Sequence, residues 1–400
     1  MVSLRLAIVA LVLLAAHNAL GVANPRGLGV CTSFVLPEAY QCTEYIVETA
    51  DGYKLALERV AKNCTTPTLG PVFLYHGIME GGDIWVLNPP DESLAFIMAD
   101  AGYDVFIGNG RASMFSSHNL FSRADTRFWD WSMDELVVHD LPALLTYVNT
   151  LTDKRIFFVG YSQGTQVAFA ALSQSGNKAA SLIERAAMLA PIAYLNHVRA
   201  PMIGEAARRR LDQVLLRSGI SEFSLSNAAG RQVLNIICRQ SNLDCIDDLL
   251  TLFTGPNCCV NVSRMSYYNM YEMQSTSMRN LAHLAQLVRS GRFAKFDFQV
   301  PGNIDHYGVL IPPSYSLSTI PVSIPMLLVY GGRDELADQA DVQHLIRDLH
   351  RTSVEVLFLP RYAHADFVLG INANVDVYPH VLEFFQSTIG NNSSMAPPRG

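Results

Sequence analysis

Charge is scarce in this chain: only 16% of its 400 residues are Asp, Glu, Lys or Arg, while 50% are hydrophobic. That balance excludes an intrinsically disordered protein, which stays unfolded by carrying much charge and little apolar surface. A basic excess is also missing, since 29 Lys and Arg face 36 Asp and Glu for a formal charge of −7, and this disfavours a nucleic-acid partner. No apolar run reaches the roughly 20 residues that cross a bilayer. The sequence has no Cys-x-x-Cys pair around which a zinc site could be built, no internal repeat and no Lys-Asp-Glu-Leu type ending.

The apolar run that opens the chain is short. Arg5 precedes Leu6 to Ala16, and the small residues Gly21 and Ala23 stand at −3 and −1 before Asn24, so residues 1–23 read as a cleaved secretory signal. The seven cysteines (Cys31, Cys42, Cys64, Cys238, Cys245, Cys258 and Cys259) all follow it and would meet an oxidising compartment, where disulfides persist. Their number is odd and their spacings fix no pairing. Glycosylation tripeptides at Asn63, Asn261, Asn391 and Asn392 suit the same compartment. The expected location is the secretory pathway, ending outside the cell, in a cell wall or in a vacuole.

From Glu44 to Val60 the sequence alternates around Asp51-Gly52, the pattern of an antiparallel hairpin. Short apolar runs follow at Val72 to Tyr75, Tyr103 to Ile107, Ile156 to Val159 and Ala187 to Leu189, with helical spacing between them at Leu136 to Val148 and Thr165 to Leu172. Strands alternating with helices predict βαβ units: an α/β protein with a mostly parallel central sheet flanked by helices. From about Ala193 to Ser323 the rhythm changes to a basic run, a cysteine cluster and an aromatic, Met-rich stretch without strand alternation. It then resumes with a strand at Met326 to Tyr330, a helix at Ala340 to Leu349, a strand at Val354 to Leu359 and a helix at Val375 to Phe385. One split domain is expected, residues 24–192 and 324–390, interrupted by an inserted, mainly helical cap at 193–323 and followed by a disordered tail at 391–400.

Chemistry is concentrated in three places. Gly160-Tyr161-Ser162-Gln163-Gly164 lies between the strand RIFFV and the helix TQVAFAAL, the setting in which a sharp turn lifts a serine hydroxyl above a sheet. The same turn aims the Gln163 N–H at a developing oxyanion. Serine is a weak nucleophile at its free pKa and needs a histidine base and an orienting carboxylate, in the chain order Ser, acid, His for this architecture. Asp334, after the strand MLLVY, and His364, after VEVLFL, fill those places. Asp338 and Asp341 compete for the acid but open a helix, where N-capping explains them, and His350 and His380 sit in or beside helices. After the first central strand, His76-Gly77-Ile78 supplies a second oxyanion donor, the Ile78 N–H. His76 precedes the nucleophile, which breaks the order for a base, so it reads as a structural histidine. Trp85, Trp129 and Trp131 suit either a lipid groove or buried packing.

These residues resemble the acid lipases of the α/β-hydrolase fold, which include gastric and lysosomal lipases and plant counterparts. The likeness covers most of the mature chain, through ETADGYKLALERV, HGIMEGGDIWVLNPPDESLAFIMADAGYDVFIGNGRA, FVGYSQGTQVAFAAL, SMRNLAHLAQLVRSGRFAKFDF, YGGRDELADQADV and RYAHADFVLG. The stretch from Asp244 to Ser263, with Cys258-Cys259, is most similar to the plant branch. The resemblance implies hydrolysis of long-chain fatty acid esters, mainly triacylglycerols, by Ser162, Asp334 and His364. It also implies an oxyanion held by the Gln163 and Ile78 amides and a cap and lid over the site. The expected partner is a lipid ester at an oil–water interface, met in transient surface contact, and the chemistry requires no metal or cofactor. Related activity on sterol esters, phospholipids or thioesters, a silent lipid carrier and a peptidase are the alternatives. The chain departs from the family pattern at Tyr161, where His is usual, at Gly110-Arg111-Ala112, where Ser-Arg-Gly is usual, and at Ala363 and Ala365 around His364. None of these removes a reacting atom.

Overall fold

A computed structural model of the protein describes residues 29–62, 65–174, 176, 178–225, 248–271, 273–349 and 352–387. The signal, Asn63, Cys64, Cys238, Cys245, His350, Asn391, Asn392 and the C-terminal tail lie outside the described residues. The sheet is built from β1 (Gln41–Glu48), β2 (Tyr53–Ala61), β3 (Pro71–Tyr75), β4 (Asp104–Gly108), β5 (Ser117–His118), β6 (Ile156–Tyr161), β7 (Ile183–Leu189), β10 (Met326–Gly331) and β11 (Val354–Leu359). Its order is β1-β2-β4-β3-β6-β7-β10-β11, with β5 paired to β2. The hairpin β1–β2 and the β2–β4 pair are antiparallel, and every pairing from β4 to β11 is parallel.

Residue burial follows from that arrangement. β3, β4 and β10 are buried at every position because helices cover both sheet faces, and their sequences are correspondingly near-continuous apolar runs. The covering helices are α1 (Leu94–Asp100), α2 (Leu141–Thr152), α3 (Gln163–Ser173), α10 (Gln339–Asp348) and α11 (Tyr378–Gln386). Between β7 and β10 the described chain forms α4 (Pro201–Arg208), α5 (Leu211–Arg217), α6 (Asp248–Thr254), α7 (Met265–Tyr271), α8 (Met278–Ser290) and α9 (Gln299–Tyr307), and contributes nothing to the central sheet.

Three elements differ from the sequence reading. β7 starts at Ile183 rather than Ala187, because Arg185 is polar in sequence yet buried, donating to the Phe384 carbonyl at 2.8 Å and lying over the Phe384 ring. The helix expected at Val375 to Phe385 is two, Ala373–Asp376 and α11, since Pro379 lacks the N–H that a continuous helix would direct at the Val375 carbonyl. Inside the 193–323 stretch, where no strands were expected, β8 (Glu222–Phe223) pairs antiparallel with β9 (Thr276–Ser277).

The loop after β4 is fixed by charge. Arg111 is 1% exposed and joins Asp140, itself fully buried, at 2.6 Å and Asp51 of the hairpin turn at 2.8 Å, while its guanidinium stacks over Tyr53 at 4.0 Å. The two carboxylates offset the cost of burying the cation. Removing one partner leaves Asp140 as an uncompensated buried charge, so Arg111→Ala should lower unfolding stability by about 3–5 kcal/mol, read as a shift of the urea midpoint.

Candidate active site

Ser162 sits between the last residue of β6 and the first of α3, with φ 53° and ψ −122°. This is a costly conformation for a residue bearing a Cβ. The crossing of strand and helix enforces it. A Cβ on Gly164 would stand 2.5 Å from the Tyr75 carbonyl oxygen, which excludes any other residue there, and one on Gly160 would press on the Gly164 backbone at 3.1 Å, so the two glycines let α3 approach β3 and β6 this closely. The Thr165 N–H and hydroxyl both bond the Ser162 carbonyl, at 2.9 and 2.7 Å, and the Ile192 N–H donates to the Thr165 hydroxyl.

The loops after β10 and β11 bring two further groups to this turn. His364 Nε2 lies 2.7 Å from Ser162 Oγ, and its Nδ1 lies 2.8 Å from Asp334 Oδ2. An ionised carboxylate can only accept, so Nδ1 carries the imidazole proton and Nε2 is left to accept from the serine hydroxyl. Asp334 is buried, and its Oδ1 takes the N–H groups of Leu336 and Ala337, both at 2.8 Å. Tyr161 donates its hydroxyl to the His364 carbonyl at 3.1 Å.

The competitors are occupied elsewhere. Asp338 caps α10 through the Ala340 N–H and pairs with Arg199. Asp341 does not cap the helix; its buried carboxylate holds the His197 N–H at 2.8 Å and the His197 ring at 2.7 Å. His380 is exposed on α11.

Comparison with known proteins places this geometry in a family. The partial alpha/beta-hydrolase lipase region family matches residues 33–89, and the alpha/beta hydrolase fold family matches residues 70–217. "Triacylglycerol lipase 1" of Arabidopsis thaliana is 42% identical over 366 residues, covering 91% of this chain and 92% of that protein. "Gastric triacylglycerol lipase" of Rattus norvegicus is 32% identical over 386 residues, covering 91% and 93%. The chain belongs to the acid lipase family of the α/β-hydrolase fold. It is a carboxylic-ester hydrolase. Among solved structures, the soluble variant of monoglyceride lipase from Saccharomyces cerevisiae matches with a TM-score of 0.56 at 15% identity, covering 91% of this chain and 98% of that one, a likeness of fold.

The remaining residues of this lipase's site surround a small cavity. Ile78 and Gln163 both line it, together with His76, Gly77, Trp131 and Thr276. Gly77 comes so near Ser162 that an added Cβ would lie 2.9 Å from the serine Cβ. His76 is structural: its Nδ1 donates to the Gly77 carbonyl at 2.8 Å, its Nε2 accepts from the Gly110 N–H at 2.9 Å, and burial pushes its pKa down to about 4, leaving the ring neutral. All three tryptophans are buried in the core, and Trp131 also lines the cavity. Asn261 is half-buried, with its Oδ1 accepting from the Ser263 N–H. The described cysteines pair as Cys31–Cys42 and Cys258–Cys259. Cys258, Cys259 and Asp366 are close enough to suggest a metal site, but the two sulfurs are bonded to each other and the carboxylate is engaged by three amides.

Sequence reasoning missed several residues. Asn280 of α8 exchanges two hydrogen bonds with the Gln163 side chain, at 3.1 and 3.0 Å. The Gln274 N–H donates to the Met79 carbonyl at 2.7 Å, and its side chain holds Met114 and Asp83. Glu80 accepts the Gly77 N–H at 2.8 Å, and burial, reinforced by the charge of Asp83 and opposed by that N–H, pushes its carboxyl up to about 8. No local motif marks any of these contacts.

Because the Glu80 pKa is higher folded than unfolded, the protonated carboxyl stabilises the fold fully below about 4.5, and the contribution is lost as pH rises through about 8. Urea unfolding followed from pH 5 to 9 should show a decline in stability that is flatter in Glu80→Gln.

Proposed function

We propose that this lipase is a secreted enzyme that hydrolyses long-chain triacylglycerols, and related fatty acid esters, through an acyl-enzyme on Ser162. Ser162 Oγ attacks the ester carbonyl carbon as its proton passes to His364 Nε2. The Gln163 and Ile78 N–H groups hold the oxyanion, and Asp334 keeps the imidazole in the tautomer that accepts at Nε2. Collapse expels the alcohol with the proton from His364. Water then attacks the acyl-enzyme, deprotonated by the same imidazole, and releases the fatty acid. The observation that carries this reading is the continuous hydrogen-bond line from Ser162 through His364 to Asp334, 2.7 and 2.8 Å long.

The substrate class is supported by the relatives, triacylglycerol lipases of Arabidopsis thaliana and Rattus norvegicus. A cap formed by residues 193–323 would cover the site, and transient contact with a lipid surface is supported by apolar side chains exposed in this stretch: Val300, Ile304, Val309, Leu310 and Ile311. Among the described residues no helix is long and apolar enough to cross a membrane. Secretion and a role in lipid breakdown are supported by the N-terminal sequence pattern, the glycosylation tripeptides at Asn63, Asn261, Asn391 and Asn392, and the proposed reaction.

Purified mature protein should release fatty acid from emulsified triolein, and Ser162→Ala should lower kcat by about 10⁴-fold or more. Asp334→Asn should cost about 10⁴-fold through the wrong imidazole tautomer. Faster turnover of a sterol ester or phospholipid in the same assay would move the substrate class, and lipid binding without turnover would leave a carrier.

A further inference from the structure

The loop bearing His364 is held from one side by β11 and from the other by a strap, residues 254–260, that leaves α6 and touches both loops of the triad. The Thr254 carbonyl accepts the His364 N–H at 3.1 Å and the Glu335 N–H at 3.5 Å, and Gly255, with φ +91°, packs where a Cβ would meet the Arg333 carbonyl at 2.4 Å. Asn257 Oδ1 accepts the Ala365 N–H at 3.2 Å. Beyond the loop, the Ile371 N–H donates to the Cys259 carbonyl, and Val260 bridges Gly370.

Against this strap, two residues after His364, lies a carboxylate that the proposed reaction does not use. The buried carboxylate of Asp366 accepts the N–H of Ala363, the residue before His364, at 2.7 Å, and the N–H groups of Cys258 and Cys259, both at 3.0 Å. Successive amides of an extended chain point to opposite sides, so they converge on one carboxylate only where the backbone bends, as Leu336 and Ala337 do at Asp334. Cys258 and Cys259 are joined side chain to side chain in a disulfide, which closes the backbone between them into a small ring, and in this ring both amides face Asp366. A carboxylate taking three backbone donors is tied to one place, so strap, Asp366 and Ala363 move as one body with the imidazole next to them.

We propose that Asp366 is a positioning residue that sets His364 on Ser162, and that the Cys258–Cys259 ring is a reducible latch presenting the two amides that anchor it. The proposal rests on the triad reading above. A dithiol such as dithiothreitol would break the single S–S bond, supplying two electrons and two protons to give two thiols while itself closing to a cyclic disulfide. The opened backbone would be free to turn one amide away from Asp366, and a displacement of the base by about 1 Å costs about 10²-fold in rate.

The test measures kcat and KM on a soluble short-chain ester, and the rate of Ser162 labelling by a phosphonate ester, for wild type, Asp366→Asn, the double variant Cys258→Ser/Cys259→Ser and the double variant Cys31→Ser/Cys42→Ser, each with and without dithiothreitol. Opening of the ring is verified by mass spectrometry of thiol-alkylated peptides. Expected is a fall in kcat and labelling rate of about 10- to 100-fold, with KM little changed, in Asp366→Asn, in the Cys258/Cys259 variant and in reduced wild type. The Cys258/Cys259 variant should be indifferent to dithiothreitol, and the Cys31/Cys42 variant should stay as active and as reductant-sensitive as wild type. Unchanged kcat after verified ring opening, or loss of activity matched by loss of the native tryptophan fluorescence, overturns the latch. If Asp366→Asn does not fold, the cysteine variants decide. Turnover that survives in Ser162→Ala would instead defeat the triad reading, which separates the two failures.

Discussion

Everything at the site depends on the close crossing of α3 over β3 and β6. With no Cβ at Gly160 or Gly164 the helix lies against the strand backbone, and Ser162 makes the turn between them at φ 53°. That strain does three things at once. It raises the hydroxyl out of the sheet, it places Ser162 at a helix N-terminus, and it leaves the Gln163 N–H beside the cavity that Ile78 also lines. The His364 and Asp334 loops, which leave the carboxyl ends of neighbouring parallel strands, have only to meet a point already fixed.

The surroundings keep that point rigid by satisfying buried charge locally. Arg111 is clamped between Asp51 and Asp140, Asp334 carries two backbone donors besides His364, and Asp366 carries three. Each buried carboxylate is thus hydrogen-bonded by groups that cannot move without breaking the loop they belong to. His76 and Glu80 are the complementary case, since burial pushes the imidazole pKa down and the carboxyl pKa up close to Ser162, favouring the uncharged form of each.

The chain between β7 and β10 is bound to the site at several points. Asn280 grips Gln163, Ser277 donates to the Trp131 carbonyl, Gln274 holds the loop after β3, and Asp134 of the core receives Phe296, Tyr307 and Tyr315. These are polar bonds over an apolar cavity.

Much of this was legible in the sequence. The alternation of apolar runs and helical spacing marked the parallel strands, and the glycines around Ser162, together with a following acid and histidine at strand ends, marked the candidate site that the fold brings together, because those patterns are set by backbone sterics within a few residues. The start of β7 was hidden by Arg185, whose polarity is cancelled only by the Phe384 carbonyl, 199 residues further along the chain. The partners of Asp341, Glu80, Asn280 and Asp366 were equally hidden, for the same reason: a carboxylate or amide declares its role by what it bonds, and those partners come from distant segments or from local backbone shapes that tertiary packing imposes. The described cysteine pairs, Cys31–Cys42 and Cys258–Cys259, were hidden too, since spacing alone fixes no pairing. Sequence alone determined an α/β enzyme with a serine at a strained turn, because local geometry demands particular residues there. Which acid meets which amide, and what ties the base to its loop, was decided only when the folded sheet brought the chain's separate stretches within hydrogen-bond reach.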